Sequence, residues 1–182
     1  MTELNIVPEC YVDTRIAEIL GQAKRKYNHQ SGFGNVANEM QKNKKLGEFA
    51  FGIIDEDKNK GKPAKYFLEF ETVIELDNLI LKKHPIKNHY LVLVCPESED
   101  WLLKEAKKVG LNPADKEYGL PTEMKGLIKL SKIKDIDKNE GFYKFIKALV
   151  RAKSPSITAL KTWIELFKAN NLDSLLKKEN ND

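Results

Sequence analysis

The feature that most constrains the fold is the uninterrupted apolar run at residues 49–54, FAFGII, which ends on Asp55. A strand with one face in water alternates apolar and polar residues, and this run shows no such alternation. We therefore expect a strand that is covered on both faces, as in the sheet of an α/β protein.

Strand-like and helix-like patterns alternate along the rest of the chain. Residues 66–76 fit either a helix or a strand, and we favour a helix. The other segments are strands at 4–8, 48–55, 78–84 and 89–96 and helices at 13–27, 35–47 and 97–111. The turn composition of PIKN predicts a hairpin between the last two strands. This order predicts an α/β fold with a mainly parallel sheet, one antiparallel hairpin strand and flanking helices.

The C-terminal third has a purely helical pattern. Apolar residues recur at helical spacing in two stripes, Phe142, Phe145, Ile146 and Leu149, then Leu160, Trp163, Ile164 and Phe167. We divide the chain into an α/β core over residues 1–120 and a helical C-terminal extension over residues 121–182. The apolar stripes fit packing on that core or a homodimer surface.

The composition limits the kinds of protein that the chain can be. The chain has 182 residues, of which 41% are hydrophobic and 32% charged, with a formal net charge of +4. These values are typical of a soluble globular domain. Cys10 and Cys95 are too few for a disulfide framework, and neither a signal peptide nor a membrane-spanning run is recognisable. We therefore expect a cytoplasmic protein without a membrane partner.

Acidic residues stand where two of the predicted strands end. Glu9 follows the first strand, and Asp55 and Asp57 follow the second. Adjacent parallel strands would bring the three carboxylates together, where Mg²⁺ or Mn²⁺ would relieve their repulsion. The alternative is that they are solvated acids at strand ends. Asp13 likewise fits either this cluster or a helix N-cap.

These acids carry a resemblance to a known family. The segment PECYVD, followed by a helix and a later strand ending in Asp-x-Asp, resembles the Toprim domain of topoisomerases, primases and OLD-family nucleases. Cys10 stands where that family has glycine. The resemblance covers roughly residues 4–110, and it implies a Mg²⁺-dependent nuclease with Glu9, Asp55 and Asp57 as catalytic and metal-binding residues. It also implies a role in defence against foreign nucleic acid and an ATPase partner on a separate chain.

A second acidic segment, CPESED, follows the last core strand. The resemblance implies that Glu97 or Glu99 holds a second metal ion, and we select Glu99. The alternative is that these acids stabilise the start of a helix through its dipole.

Basic residues near the acids suggest a nucleic-acid contact. Lys58, Lys60 and Lys62 follow the aspartates, and His29 lies in a glycine-containing loop. We expect these four residues to contact phosphates of DNA or RNA. The alternatives are a solvated lysine loop and an ordinary loop histidine. A Toprim-like module that binds nucleic acid or a partner protein without cleavage is the competing function.

Overall fold

The structure, a computed structural model, describes residues 5–42, 49–56 and 64–175, without the side chains of Lys42 and Lys134. The strands are β1 (Ile6–Pro8), β2 (Phe49–Asp55), β3 (Glu71–Leu76), β4 (Leu79–Lys83) and β5 (Asn88–Val94). The α-helices are α1 (Tyr11–Leu20), α2 (Phe33–Lys42), α3 (Ser98–Lys108), α4 (Met124–Ser131), α5 (Glu140–Arg151) and α6 (Pro155–Lys168). Two 3₁₀ segments cover Lys65–Glu69 and Lys134–Lys138.

The five strands form one sheet in the order β1-β2-β5-β4-β3. β1, β2 and β5 run parallel, whereas β4 is antiparallel to both β5 and β3. The α/β class and the β4–β5 hairpin are confirmed, but the sheet is mixed, with two parallel and two antiparallel pairings. The parallel strands bring the carboxyl ends of β1, β2 and β5 to one edge.

Strand β2 is covered on both faces, as its uninterrupted apolar sequence predicted. Phe51 and Ile53 face a core that includes side chains from α1, α3, α5 and α6. Ala50 and Ile54 face a smaller cluster with α2 and the first 3₁₀ segment. Both apolar stripes of the C-terminal helices are buried in the larger core.

The helix that we favoured for residues 66–76 is wrong. The chain makes a 3₁₀ segment at Lys65–Glu69 and then the edge strand β3. The three residues Thr72, Val73 and Ile74 are β-branched, which favours extended backbone, and β4 supplies the pairing partner. A local pattern could not reveal that partner.

Helix α1 is shorter than the predicted segment 13–27. It ends at Leu20, with Gly21 as C-cap. A Cβ atom at Gly21 would lie 2.1 Å from the Tyr27 hydroxyl oxygen and 2.7 Å from Ile164 Cγ2. Glycine therefore lets the chain turn back tightly against α1 and α6 at this point.

The middle and C-terminal end of α3 are held by buried polar contacts. Glu105, with a fully buried side chain, accepts hydrogen bonds from Ser154 Oγ at 2.5 Å, Ser156 N at 3.2 Å and Lys108 Nζ at 2.8 Å. Trp101 Nε1 donates to Ser156 Oγ at 2.7 Å. These bonds fix α3 to the junction of α5 and α6, and α3 carries part of the site described next. None of the helices in the described parts of the chain is long and apolar enough to cross a membrane.

Candidate active site at the carboxyl edge of the sheet

Glu9 and Asp55 lie side by side at the ends of adjacent strands. The Glu9 amide donates to Ile53 O at 2.9 Å, which continues the β1–β2 ladder by one residue. The Asp55 amide donates to Glu9 Oε2 at 3.1 Å. Glu9 is only 4% exposed. The two residues are therefore neighbours in space, and a metal site formed by their carboxylates stays a prediction.

Ser98 joins two carboxylates, and sequence reasoning missed it. Its amide donates to Asp55 Oδ1 at 3.0 Å, and its hydroxyl oxygen lies 3.1 Å from the same atom. The hydroxyl also makes a short hydrogen bond with Asp13 Oδ1. A serine between acids at a predicted helix start was the available signal, but such residues are common there for capping alone.

Asp13 belongs to this cluster and is not a helix cap. The N-cap of α1 is Cys10, whose sulfur accepts from the Asp13 amide at 3.4 Å. The Asp13 side chain is buried, and its Oδ2 atom has no hydrogen-bond partner in the described parts of the chain. The alternative that Asp13 caps the helix is wrong, because the helix begins at Tyr11, two residues before Asp13.

The pKa of Asp13 is raised to about 6, chiefly by burial and also by the negative charges of Glu9 and Glu99, while hydrogen bonds from Cys10 and Ser98 oppose the rise. Ser98 has one hydroxyl hydrogen and contacts two carboxylates. A proton on Asp13 lets both contacts be hydrogen bonds, because Asp13 then donates to Ser98 and Ser98 donates to Asp55. The cluster therefore holds a proton on Asp13 at mildly acidic pH, below about 6, unless another cation replaces it.

Glu97 and Glu99 stand at the start of α3 and line the same cleft as Glu9 and Asp55. Glu97 is the N-cap residue, but its side chain makes no capping hydrogen bond. Glu99 is 7% exposed and lies close enough to act on the pKa of Asp13. An acid placed only for the helix dipole would be solvated, so the burial of Glu99 favours a place in the carboxylate cluster.

His29 lines this cleft, which has a volume of about 540 Å³. Its ring stacks on Tyr11 with 4.3 Å between centroids, and its Nδ1 atom lies 3.1 Å from Thr14 Oγ1. The Thr14 hydroxyl donates to Cys10 O at 2.7 Å, so His29 Nδ1 is the donor to Thr14. Burial lowers the pKa of His29, and a neutral ring then keeps Nε2 as a proton acceptor.

The remaining predicted site residues, Asp57, Lys58, Lys60 and Lys62, lie outside the described residues. Within residues 5–42, 49–56 and 64–175, no three Asp, Glu, His or Cys side chains are grouped closely enough to form a metal site. The donor chemistry nevertheless fits a hard divalent cation, since the cluster offers carboxylate oxygens and Asp13 Oδ2 has no hydrogen-bond partner among the described residues.

A comparison of the chain with protein-family models, with curated proteins and with solved structures gives no significant match in any of the three.

Proposed function

We propose that the protein is a nuclease that depends on Mg²⁺ or Mn²⁺ and hydrolyses phosphodiester bonds of DNA or RNA, with a Toprim-like site. Its catalytic residues are Glu9, Asp55 and Asp57. The observation that supports the proposal is that Ser98 joins Asp13 to Asp55 at the carboxyl edge of a parallel strand pair, where Glu9 accepts from the Asp55 amide.

Glu9, Asp55, Asp57 and Glu99 are the residues that would hold the metal. When bound, such an ion polarises the phosphodiester and stabilises the negative charge that develops on its oxygens. Ser98 keeps the Asp55 carboxylate in one orientation through its amide and hydroxyl. His29, which lines the same cleft, offers a neutral ring that can accept a proton from an attacking water.

The wider setting follows from the same proposal. Cys10 and Cys95 are free thiols, which suits a reducing cytoplasm. The resemblance to OLD-family nucleases supports a role in defence against foreign nucleic acid and an ATPase partner on a separate chain. Homodimer formation is part of this proposal, but through another surface, because both apolar stripes of the C-terminal helices are buried in the core.

The test is cleavage of supercoiled plasmid and of structured RNA in Mg²⁺ and in Mn²⁺. Asp55→Asn keeps the side-chain shape and removes the charge, and we expect it to lower the cleavage rate at least about 100-fold. Asp77→Asn is the matched control, because Asp77 is 82% exposed and pairs with Lys108 at the far side of α3. We expect this variant to cleave at the wild-type rate.

Equal cleavage by wild type and Asp55→Asn would assign the activity to another site or to a contaminant. No cleavage by wild type in either metal would favour the competing function, a module that binds without cutting.

A further inference from the structure

Helix α1 has one narrow stripe that is not buried. Of its ten residues only Tyr11, Arg15 and Glu18 reach solvent, and Gln22 continues the stripe just past the helix end. Tyr11 lines the acidic cleft, whereas Arg15, Glu18 and Gln22 line a second cavity of about 650 Å³. Tyr11 and Arg15 are one helical turn apart, about 6 Å along the axis. The two cavities are therefore neighbours along one helix.

The second cavity is basic. Five cationic side chains line it against two carboxylates, those of Glu18 and Asp137; the cations are Arg15, Lys24, Arg25, Lys26 and Lys147. The Asp137 carboxylate accepts from Lys26 Nζ at 2.6 Å, and Glu18 lies 3.9 Å from Arg15. The lining thus carries more positive than negative charge, and its cations come from α1, from the loop after α1 and from α5.

An exposed aromatic ring lies among these cations. Tyr143 of α5 is 41% exposed, and the Arg15 guanidinium carbon is 5.6 Å from the centre of its ring. A large ring left in solvent beside cations offers a face on which a nucleobase can stack. Together, the ring and the cations form the pattern of a single-strand binding groove.

The C-terminal helices supply the wall opposite α1. Ser131 and Lys132, at the end of α4, line the acidic cleft, and Asp137, Tyr143 and Lys147 line the basic cavity. One groove wall thus comes from α1, and the other comes from the end of α4, the second 3₁₀ segment and α5. An acidic site at one end and a cationic site at the other suit a strand that is bound at one phosphate and cut at another.

We propose that the basic cavity binds the phosphate backbone of a single-stranded nucleic acid, with a base stacked on Tyr143, and directs a neighbouring phosphodiester into the acidic cleft. The inference rests on the proposed function for the identity of the reacting bond, whereas binding in the basic cavity is measurable without cleavage.

Binding is tested by fluorescence anisotropy of labelled 20-nucleotide DNA and RNA strands in EDTA, which prevents metal-dependent cleavage. Arg25→Glu and Lys147→Glu reverse one charge on each side of the cavity. We expect each variant to weaken binding roughly tenfold. The slope of log Kd against log salt concentration should also fall by at least about 0.7, which corresponds to one lost phosphate contact on a single strand. Tyr143→Ala is expected to weaken binding roughly tenfold through lost stacking.

The matched control is Lys107→Glu, the same charge change on the exposed side of α3, whose C-terminal end lies beside Asp77 at the β3–β4 turn. Binding unchanged in Lys107→Glu but weakened in the three cavity variants supports the proposal. Equal losses in all four variants, or no binding by wild type, overturn it. Displacement of the strand by millimolar inorganic phosphate at constant ionic strength also overturns it, because a small anion would then be the ligand.

Asp55→Asn separates this inference from the proposed function. Strand binding that depends on Arg25 and Lys147, without cleavage by wild type in Mg²⁺ or Mn²⁺, refutes the nuclease and leaves the binding site established. Cleavage that depends on Asp55 but is unaffected by the cavity variants refutes the binding site and leaves the nuclease.

Discussion

The amide of Asp55 donates a hydrogen bond to the carboxylate of Glu9 at 3.1 Å, although 46 positions separate them in the chain. The parallel register Pro8↔Ile53 places the ends of β1 and β2 together, and the Glu9 side chain then covers the end of β2. Each acid taken alone fits an ordinary residue at a strand end, and the strand pairing brings the two together in one site. Every prediction on this site depends on that adjacency.

Replacement of Ser98 by alanine should destabilise the protein by about 2 kcal/mol, because Asp13 and Asp55 lose a buried donor. Unfolding in urea measures the change. Ser174→Ala is the control, since its hydroxyl donates to Asn171 O at an exposed site, and a change within about 0.5 kcal/mol is expected. Equal stability of Ser98→Ala and wild type would show that the hydroxyl does not join the two carboxylates.

The raised pKa of Asp13 predicts a distinct pH dependence of stability. Its pKa is about 6 in the folded protein and 3.8 as the ordinary value, so between these limits the folded state binds more protons than the unfolded state. The contribution of Asp13 to the free energy of unfolding therefore falls as pH rises from 4 to 6, by on the order of 3 kcal/mol.

Other carboxyl groups titrate over the same range, so the measured quantity is the difference between wild type and Asp13→Asn. The amide cannot ionise, and we expect this variant to gain stability relative to wild type between pH 4.5 and pH 7.5. Urea unfolding at the two pH values gives that difference. A difference that does not depend on pH would mean that Asp13 titrates normally.

Mg²⁺ should stabilise the folded protein if the carboxylate cluster holds it. At about one hundred times its Kd, a ligand specific to the folded state adds about 2.7 kcal/mol to the free energy of unfolding. Thermal unfolding with and without Mg²⁺ measures this gain as a higher Tm. Asp55→Asn should lose the gain and Asp77→Asn should keep it; a gain of the same size in both variants would place the ion elsewhere.

Replacement by alanine of two glycines at matched helix positions should change the stability of the protein in opposite directions. Gly141 and Gly34 are each the second residue of a helix, α5 and α2 respectively. A Cβ atom at Gly141 would lie 1.9 Å from the backbone oxygen of Tyr118, whereas one at Gly34 would meet nothing within 4 Å. We expect Gly141→Ala to cost about 3 kcal/mol or more, since backbone must move.

Gly34→Ala should instead add about 0.5–1 kcal/mol, because alanine restricts the unfolded chain and favours the helix. Chemical denaturation of both variants gives the comparison. A small cost at Gly141 would contradict the close packing of α5 on the loop at Tyr118, and with it the wall that presents Tyr143 and Lys147 to the basic cavity.

The sequence by itself determined the elements whose pattern is local. The apolar run of β2 requires cover on both faces, and the stripes of α5 and α6 require a core, so hydrophobic periodicity alone predicted them. The positions of the acids at the ends of β1 and β2 could likewise be predicted, since a strand ends where its apolar run stops. Edge strand β3 could not be predicted from its sequence, because its pairing with β4 decides between helix and strand there and a local pattern does not show that partner.

Only the tertiary structure decided which acids meet and what joins them. Ser98 bridges Asp13 and Asp55 across 85 and 43 positions of sequence, and no local pattern encodes such a contact. The basic cavity likewise needs α1 and α5 to pack side by side before Arg15 and Lys147 become neighbours. Periodicity specifies which face of an element is buried, whereas the packing of elements distant in sequence specifies which polar side chains share a cleft.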